Sequence, residues 1–304
     1  MTSVTVSELP EEHSAADSQK LATLLMISFA VLWALIEVEL GVRLRQPYDL
    51  TQIVWCRYAA HLLIVAVIWG RRNPARIWRT ARPGMQLGRS LLMLIMPLSF
   101  GFAIATGDSV AGAWAVFWLS PLLILLLARV ICHEQVPALV WLSTGVAALG
   151  AVAIIRPPSL PAGFGLFWPI VMALSLSLYV VLTRALRREA LSANLFYTAV
   201  GVLIPLSLYV PRVWVTPSAH DAVILFGIGA LGFVALLALD RSSDRATVSS
   251  LAAFLSVQVV TVCAINLARH RVGVTRMMMA GLALLLGALA VQFFAQRRRI
   301  PIVA

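Results

Sequence analysis

Glu37, Arg57 and His61 are the residues of this sequence best placed to do chemistry, because each stands inside a long apolar stretch. An ionisable side chain within a bilayer costs about 2.5–3.5 kcal/mol on insertion scales, so it is a functional candidate by default. Glu37 and Arg57 each lie roughly 7–10 Å in from the end of a helix, which puts them at one level and able to pair. Arg57 and His61 are one turn apart on one face, as are Trp33 and Glu37. Such a set could hold the two charged ends of a zwitterionic solute, or Glu37 could carry a coupling proton. The plainer reading is a structural Glu–Arg pair near the membrane surface with His61 as packing. Glu39 lies beside them in the same stretch.

Aromatic residues form a second set. Trp114 and Trp118 are one turn apart beside Ser120-Pro121, with Phe100 and Tyr179 on neighbouring apolar stretches. Rings of this kind suit apolar, aromatic or cationic solutes. Pro121 removes an intrahelical hydrogen bond and could offer the Phe117 carbonyl to a solute. Trp33, Glu37, Arg57, His61, Phe100, Trp114, Trp118, Pro121 and Tyr179 are therefore the candidate substrate-binding residues. The aromatic members serve equally as helix packing.

Other polar residues read more plainly. Glu134 suits the start of the helix that follows it, where a carboxylate meets the positive end of the dipole. Asp240, Arg241, Asp244 and Arg245 read as a solvated loop with local ion pairs that could act as a gate. Gly227-Ile-Gly-Ala-Leu-Gly232 spells a nucleotide-binding pattern but lies inside an apolar helix with no preceding strand, so helix packing explains it. Ala280, Ala283 and Gly287 suit close helix approach in the same way. Cys56, Cys132 and Cys263 have no paired spacing and read as small buried hydrophobes. The histidines have no zinc-ligand spacing and no Ser/His/Asp set is arranged for catalysis, so neither a metal, a cofactor nor an enzyme activity is expected.

The elements that must position these residues are membrane helices. Of 304 residues 61% are hydrophobic and 12% charged, with mean hydropathy +0.90. A soluble chain needs roughly a quarter of its residues charged. The apolar blocks have the length that crosses a hydrocarbon core, and lipid forces them to be helices. They run approximately Leu21–Leu40, Thr51–Trp69, Leu87–Thr106, Ser109–Arg129, Val136–Ile155, Phe164–Thr183, Leu191–Val210, Ala222–Leu239, Ala246–Ala268 and Met277–Ala295. The expectation is an all-α integral membrane protein of about ten spans. The net charge of +11 does not point to nucleic acid. Its arginines gather in short inter-helix clusters, mainly Arg71 to Arg89, Arg184–Arg188, Arg241, Arg245 and Arg297–Arg299. Arg43, Arg45, Arg156, Arg212, Arg269, Arg271 and Arg276 fall on the other side, and the imbalance places both termini in the cytoplasm. Residues 1–19 are acidic before Lys20 and read as a disordered cytoplasmic tail rather than a signal peptide. Residues 297–304 read as a basic cytoplasmic tail.

The chain also repeats itself. Phe117-Trp-Leu-Ser-Pro-Leu-Leu aligns with Ala253-Phe-Leu-Ser-Val-Gln-Val, in a register that pairs Asp108 with Asp244, Gly145 with Gly281, and Glu134 with His270. Residues 20–155 and 164–296 thus form two halves of five helices. An odd number turns the second half upside down in the membrane, and such inverted repeats accompany alternating access around a midplane site. Val257 replaces the proline and His270 the glutamate, so the site is expected mostly on the first half.

Asp108-Ser-Val-Ala-Gly-Ala-Trp-Ala-Val-Phe-Trp-Leu-Ser-Pro-Leu-Leu, followed by Cys132-His-Glu-Gln-Val, resembles the end of an EamA repeat of the drug/metabolite transporter superfamily. Arg57-Tyr58 and Arg89-Ser90 fit the same pattern, and the resemblance covers roughly residues 20–296. It implies a ten-helix, 5+5 inverted-repeat carrier in a bacterial inner membrane, as a monomer or homodimer. Its partners would be the lipid bilayer, a small metabolite and protons as the candidate coupling ion. Export of an amino acid or similar metabolite is the leading expectation. The alternative is import of a nucleobase, vitamin or nucleoside-like cofactor. A lipid-modifying membrane enzyme is the remote third, since its usual His/Asp loop clusters are missing.

Overall fold

The computed structural model describes residues 9–42, 47–71, 74 and 77–298. Residues 1–8 and 299–304, Arg43, Arg45 and the side chain of Glu39 lie outside the described set. The described chain is all helical, and ten of its helical segments are long and apolar enough to cross a membrane. It is a multi-pass membrane protein.

Helix α1 (Leu9–Val42) opens the chain, followed by α2 (Leu50–Val65), which a π turn at Ala66–Gly70 extends. Then come α3 (Pro83–Ala105), the pair α4 (Val110–Phe117) and α5 (Ser120–Ile131), and α6 (Ala138–Ile155). The second half holds α7 (Phe167–Ala185), α8 (Leu191–Tyr209), α9 (Ala219–Arg245), the pair α10 (Val248–Leu251) and α11 (Val257–Ala268), and α12 (Arg276–Arg298). α1 begins well ahead of Leu21 and takes in residues 9–19, which the sequence suggested were a disordered tail. α9 likewise runs on to Arg245, so Asp240, Arg241, Asp244 and Arg245 are helical and not a loop.

The two halves interlock by one rule applied twice. α1 packs on α9 as α7 packs on α3, and α2 packs on α9 as α8 packs on α3. α5 meets α7 as α11 meets α1, while α2–α8 and α6–α12 pair across the centre. Exchanging the halves leaves this pattern unchanged, as two related units of five spans require.

Both halves also break their fourth span. In the first, Pro121 lacks an N–H, the chain leaves the helix at Trp118–Leu119, and the Phe117 carbonyl is taken up by the Ser120 hydroxyl. That carbonyl thus already accepts one hydrogen bond inside the protein. In the second half the break survives without proline, as a 3₁₀ turn at Ala252–Ser256. Each residue of that turn is buried, against α1, α5, α6 and α12, so packing imposes what proline imposes in the first half. The broken spans then end alike, with His133 (φ 55°) and His270 (φ 52°) in the left-handed region. By backbone, His270 matches His133 and not Glu134.

Close helix approach rests only partly on the small residues expected. A Cβ on Gly281 would stand 2.7 Å from the Gly150 carbonyl oxygen, and the reverse holds at the same distance, so α6 and α12 touch backbone to backbone there. Ala280, Ala283 and Gly287 are exposed on the opposite face. In the Gly227–Gly232 stretch, Gly229 and Gly232 pack against Arg57 and Ala60 of α2, while Gly227 meets nothing.

Candidate functional site

A cleft of about 530 Å³ opens at the end of the bundle where α1 finishes and α12 begins. Its charged and polar lining is Glu37 of α1, Arg156 at the end of α6, Asn266 of α11 and Thr275 before α12. Trp114 and Trp118 supply an aromatic wall, and Val259, Val262 and Met278 an aliphatic one. Both halves build it, whereas the sequence points mostly to the first half. The volume lies within the range of about 300–1,000 Å³ usual for small-molecule sites.

Local structure sets each lining group. Glu37 is on the face of α1 turned toward α11, where Gln258 Nε2 donates a 2.5 Å hydrogen bond to Oε2 of Glu37. Gln258 comes two residues after the 3₁₀ turn, in the first turn of α11, so the break in the ninth span aims it. Trp114 and Trp118 flank Phe117 at the break in the fourth span. Their rings continue in a chain with Phe100: Phe100–Trp114 5.5 Å, Trp114–Phe117 5.1 Å and Phe117–Trp118 5.4 Å between centroids.

Behind Glu37 the Arg57 guanidinium lies over the Trp33 ring, 4.1 Å from its centroid, and 5.2 Å from that of Tyr58. Arg57 is 7% exposed and its Nη2 has no hydrogen-bond partner. Glu37 lies within its electrostatic reach. The salt bridges among the described residues, however, are Lys20–Asp17 and Arg89–Asp240, so the Glu37–Arg57 pair is not in contact. His61 is 1% exposed, packs edge-on against Phe233 at 5.3 Å and leaves Nε2 without a partner.

The structure thus brings Glu37, Trp114 and Trp118 to one cleft, with Phe100, Trp33 and Arg57 directly behind them. Pro121 is buried at the helix break. Tyr179 belongs elsewhere: its ring centroid is 5.1 Å from the Arg89 guanidinium carbon, at the other end of the bundle. There Arg89, fully buried, faces Asp240 at 3.6 Å and donates to Thr183, Asn194 and Thr198. Asp240 is 2% exposed, which corrects its reading as part of a solvated loop. Sequence reasoning missed Arg89 because it stands among loop arginines; its lying well inside the helix that opens at Pro83 was the available signal.

Glu134 is structural, but caps a helix of the other half: its carboxylate accepts from the backbone N–H of Val248 (3.1 Å) and Ser249 (2.9 Å), which open α10. Just before it, Cys132 is half-buried, and burial and the Glu134 charge push its thiol pKa up.

No family model matches the chain. It is similar to the S-adenosylmethionine uptake transporter of Rickettsia prowazekii (strain Madrid E), 24% identical over 207 residues, which cover 67% of this chain and 68% of that one. The proteins of the same name from Rickettsia conorii and Rickettsia felis are each 22% identical over 204 residues, covering 67% of this chain and 68% of theirs. The similarity is to membrane transporters. A solved crystal structure with 21% identity has the same fold, with TM-score 0.71 over 91% of this chain and 99% of its own.

Proposed function

We propose that the chain is a secondary carrier of the drug/metabolite transporter type that takes up a nucleoside-type cofactor, of which S-adenosylmethionine is the model. The observation that carries this reading is the cleft itself, where the Glu37 carboxylate faces the wall formed by Trp114 and Trp118. S-adenosylmethionine presents a flat purine, a sulfonium cation and an amino-acid end. A purine stacks on indole rings, and a cation is attracted both by a carboxylate and by an aromatic face. The amino-acid end would meet Arg156, Asn266 and Thr275 at the mouth. The direction of transport is taken from the three rickettsial relatives. The arginine distribution favours both termini in the cytoplasm, so the cleft would open to the outside. An ion gradient or the substrate's own gradient would supply the energy.

The second reading is export of a free amino acid. Glu37 and Arg156 on one cleft favour it, since together they suit an ammonium and a carboxylate. The aromatic wall separates the two readings, because a free aliphatic amino acid has nothing to stack there.

The test is counterflow in proteoliposomes preloaded with S-adenosylmethionine, S-adenosylhomocysteine, methionine or adenine. Preloaded S-adenosylmethionine should drive the largest accumulation of labelled S-adenosylmethionine. S-adenosylhomocysteine, which keeps the amino-acid end but lacks the sulfonium charge, should drive less. With each solute also run against its own label, counterflow of methionine alone would favour the amino-acid carrier, and none of any solute would reject a carrier of these compounds.

A further inference from the structure

Two arginines of the membrane interior lie over aromatic rings, and they stand in different states at the two ends of the bundle. At the cleft end Arg57 of α2 covers Trp33 of α1, with no carboxylate in contact and Nη2 unpartnered. At the opposite end Arg89 of α3 covers Tyr179 of α7, and there the charge is met. Asp240 of α9 lies 3.6 Å from Nη1, and Nη2 donates to the Asn194 carbonyl at 2.7 Å and to Thr198 Oγ1 at 3.1 Å.

A second strand of bonds crosses the same place. Gln86 Nε2 donates to Asn194 Oδ1 at 2.6 Å, and Asn194 Nδ2 donates to Asp240 Oδ1 at 2.9 Å. Gln86 and Arg89 belong to the first half and their partners to the second, so this network ties half to half where the cleft does not reach.

We infer that the buried Arg89–Asp240 pair, with Gln86 and Asn194, is the closed gate at the end of the bundle opposite the cleft. A solute admitted at the Glu37 end leaves only when these two halves part there. The inference rests on the carrier reading.

Three observations favour a gate over a plain brace. The network is buried, so it seals the path against water. It is also incompletely satisfied: Arg89 Nε and Asp240 Oδ2 have no partner, nor has the Ser243 hydroxyl one turn on. Charges left short of partners in a dry site favour the state in which water reaches them, so opening and hydration become one event. Finally, no matching seal is present between Arg57 and Glu37, as expected if the two ends close in alternation.

The experiment uses Ser243→Cys, made in the full chain with Cys56, Cys132 and Cys263 replaced by alanine and reconstituted in liposomes. Its reaction with a small water-soluble methanethiosulfonate is followed alongside S-adenosylmethionine uptake. The thiol should react slowly at rest, and Asp240→Asn should speed it roughly tenfold or more by unlocking the pair. Arg89→Lys, which keeps the charge and loses the bonds to Thr198 and Asn194, should act in the same direction if the first variant does not fold. Uptake by the Ser243→Cys chain, with equal thiol reactivity in folded gate variants, would overturn the gate. Absence of uptake by the wild-type chain in the same liposomes would instead overturn the carrier reading beneath it.

Discussion

Nε2 of Gln258 on α11 donates a 2.5 Å hydrogen bond to the carboxylate of Glu37 on α1. The acidic group lining the cleft is thus held by the half of the chain to which it does not belong. Glu37 is both part of the cleft wall and a link between the two halves.

Glu37→Gln keeps the shape and a hydrogen bond to Gln258 while deleting the charge. A hydrogen bond involving a charged group contributes about 1.5–3 kcal/mol, so the KM for a cationic substrate should rise roughly ten- to a hundredfold. Uptake kinetics at a fixed amount of folded protein measure it. An unchanged KM would remove Glu37 from recognition.

Trp114→Ala and Trp118→Ala each remove one face of the aromatic wall. At about 0.5–1.5 kcal/mol per aromatic pair, affinity for a purine-bearing substrate should fall roughly threefold to tenfold. Methionine inhibition, measured in the same assay, should not move. Equal losses for both ligands would mean that the indoles only brace the fourth span.

Glu134→Ala leaves two backbone N–H groups at the start of α10 without their acceptor. Loss of such a cap costs about 0.5–2 kcal/mol, so the thermal midpoint in detergent should drop by a few degrees. The KM for substrate should stay where it is, because Glu134 is not part of the cleft.

Much of this was legible in the sequence, and the parts that were not have physical reasons. Ten spans and two halves follow from apolar length and from the Phe117/Ala253 repeat, which lipid and chain order translate almost directly into architecture. Trp114, Trp118 and Glu37 were legible as chemistry because their types are expensive or purposeful in a membrane. Gln258 was not, since a glutamine in an apolar run carries no signal of what it faces. Asp240 was misread for a related reason: an Asp-Arg-rich stretch reads as solvated until the distant Arg89, on another helix, is brought against it. The surviving break at Ala252–Ser256 shows the same limit, because tertiary packing rather than a proline causes it.

Gly281→Leu should abolish folded protein, because its Cβ alone would stand 2.7 Å from the Gly150 carbonyl oxygen. Gly287→Ala meets nothing within 4 Å and should be neutral or slightly stabilising, given that alanine is favoured over glycine in a helix by about 0.8–1.0 kcal/mol. Monodisperse yield by size-exclusion chromatography separates the two. Normal behaviour of Gly281→Leu would contradict the backbone contact between α6 and α12.

Cys132 should be a slow nucleophile. Burial and the neighbouring Glu134 hold its pKa above the ordinary thiol value, so the reactive thiolate is scarce at neutral pH. Its alkylation should lag behind that of a free cysteine at pH 7 and gain on it as pH rises past the ordinary thiol range. A rate at pH 7 matching free cysteine would contradict that environment.

The most direct test of the carrier reading is saturable uptake of labelled S-adenosylmethionine into proteoliposomes holding the wild-type chain, set beside Glu37→Gln and empty liposomes. The wild type should show saturable uptake, strongly reduced at low substrate in the Glu37→Gln chain. Uptake no greater than in empty liposomes, with or without an imposed proton gradient, would contradict the carrier reading.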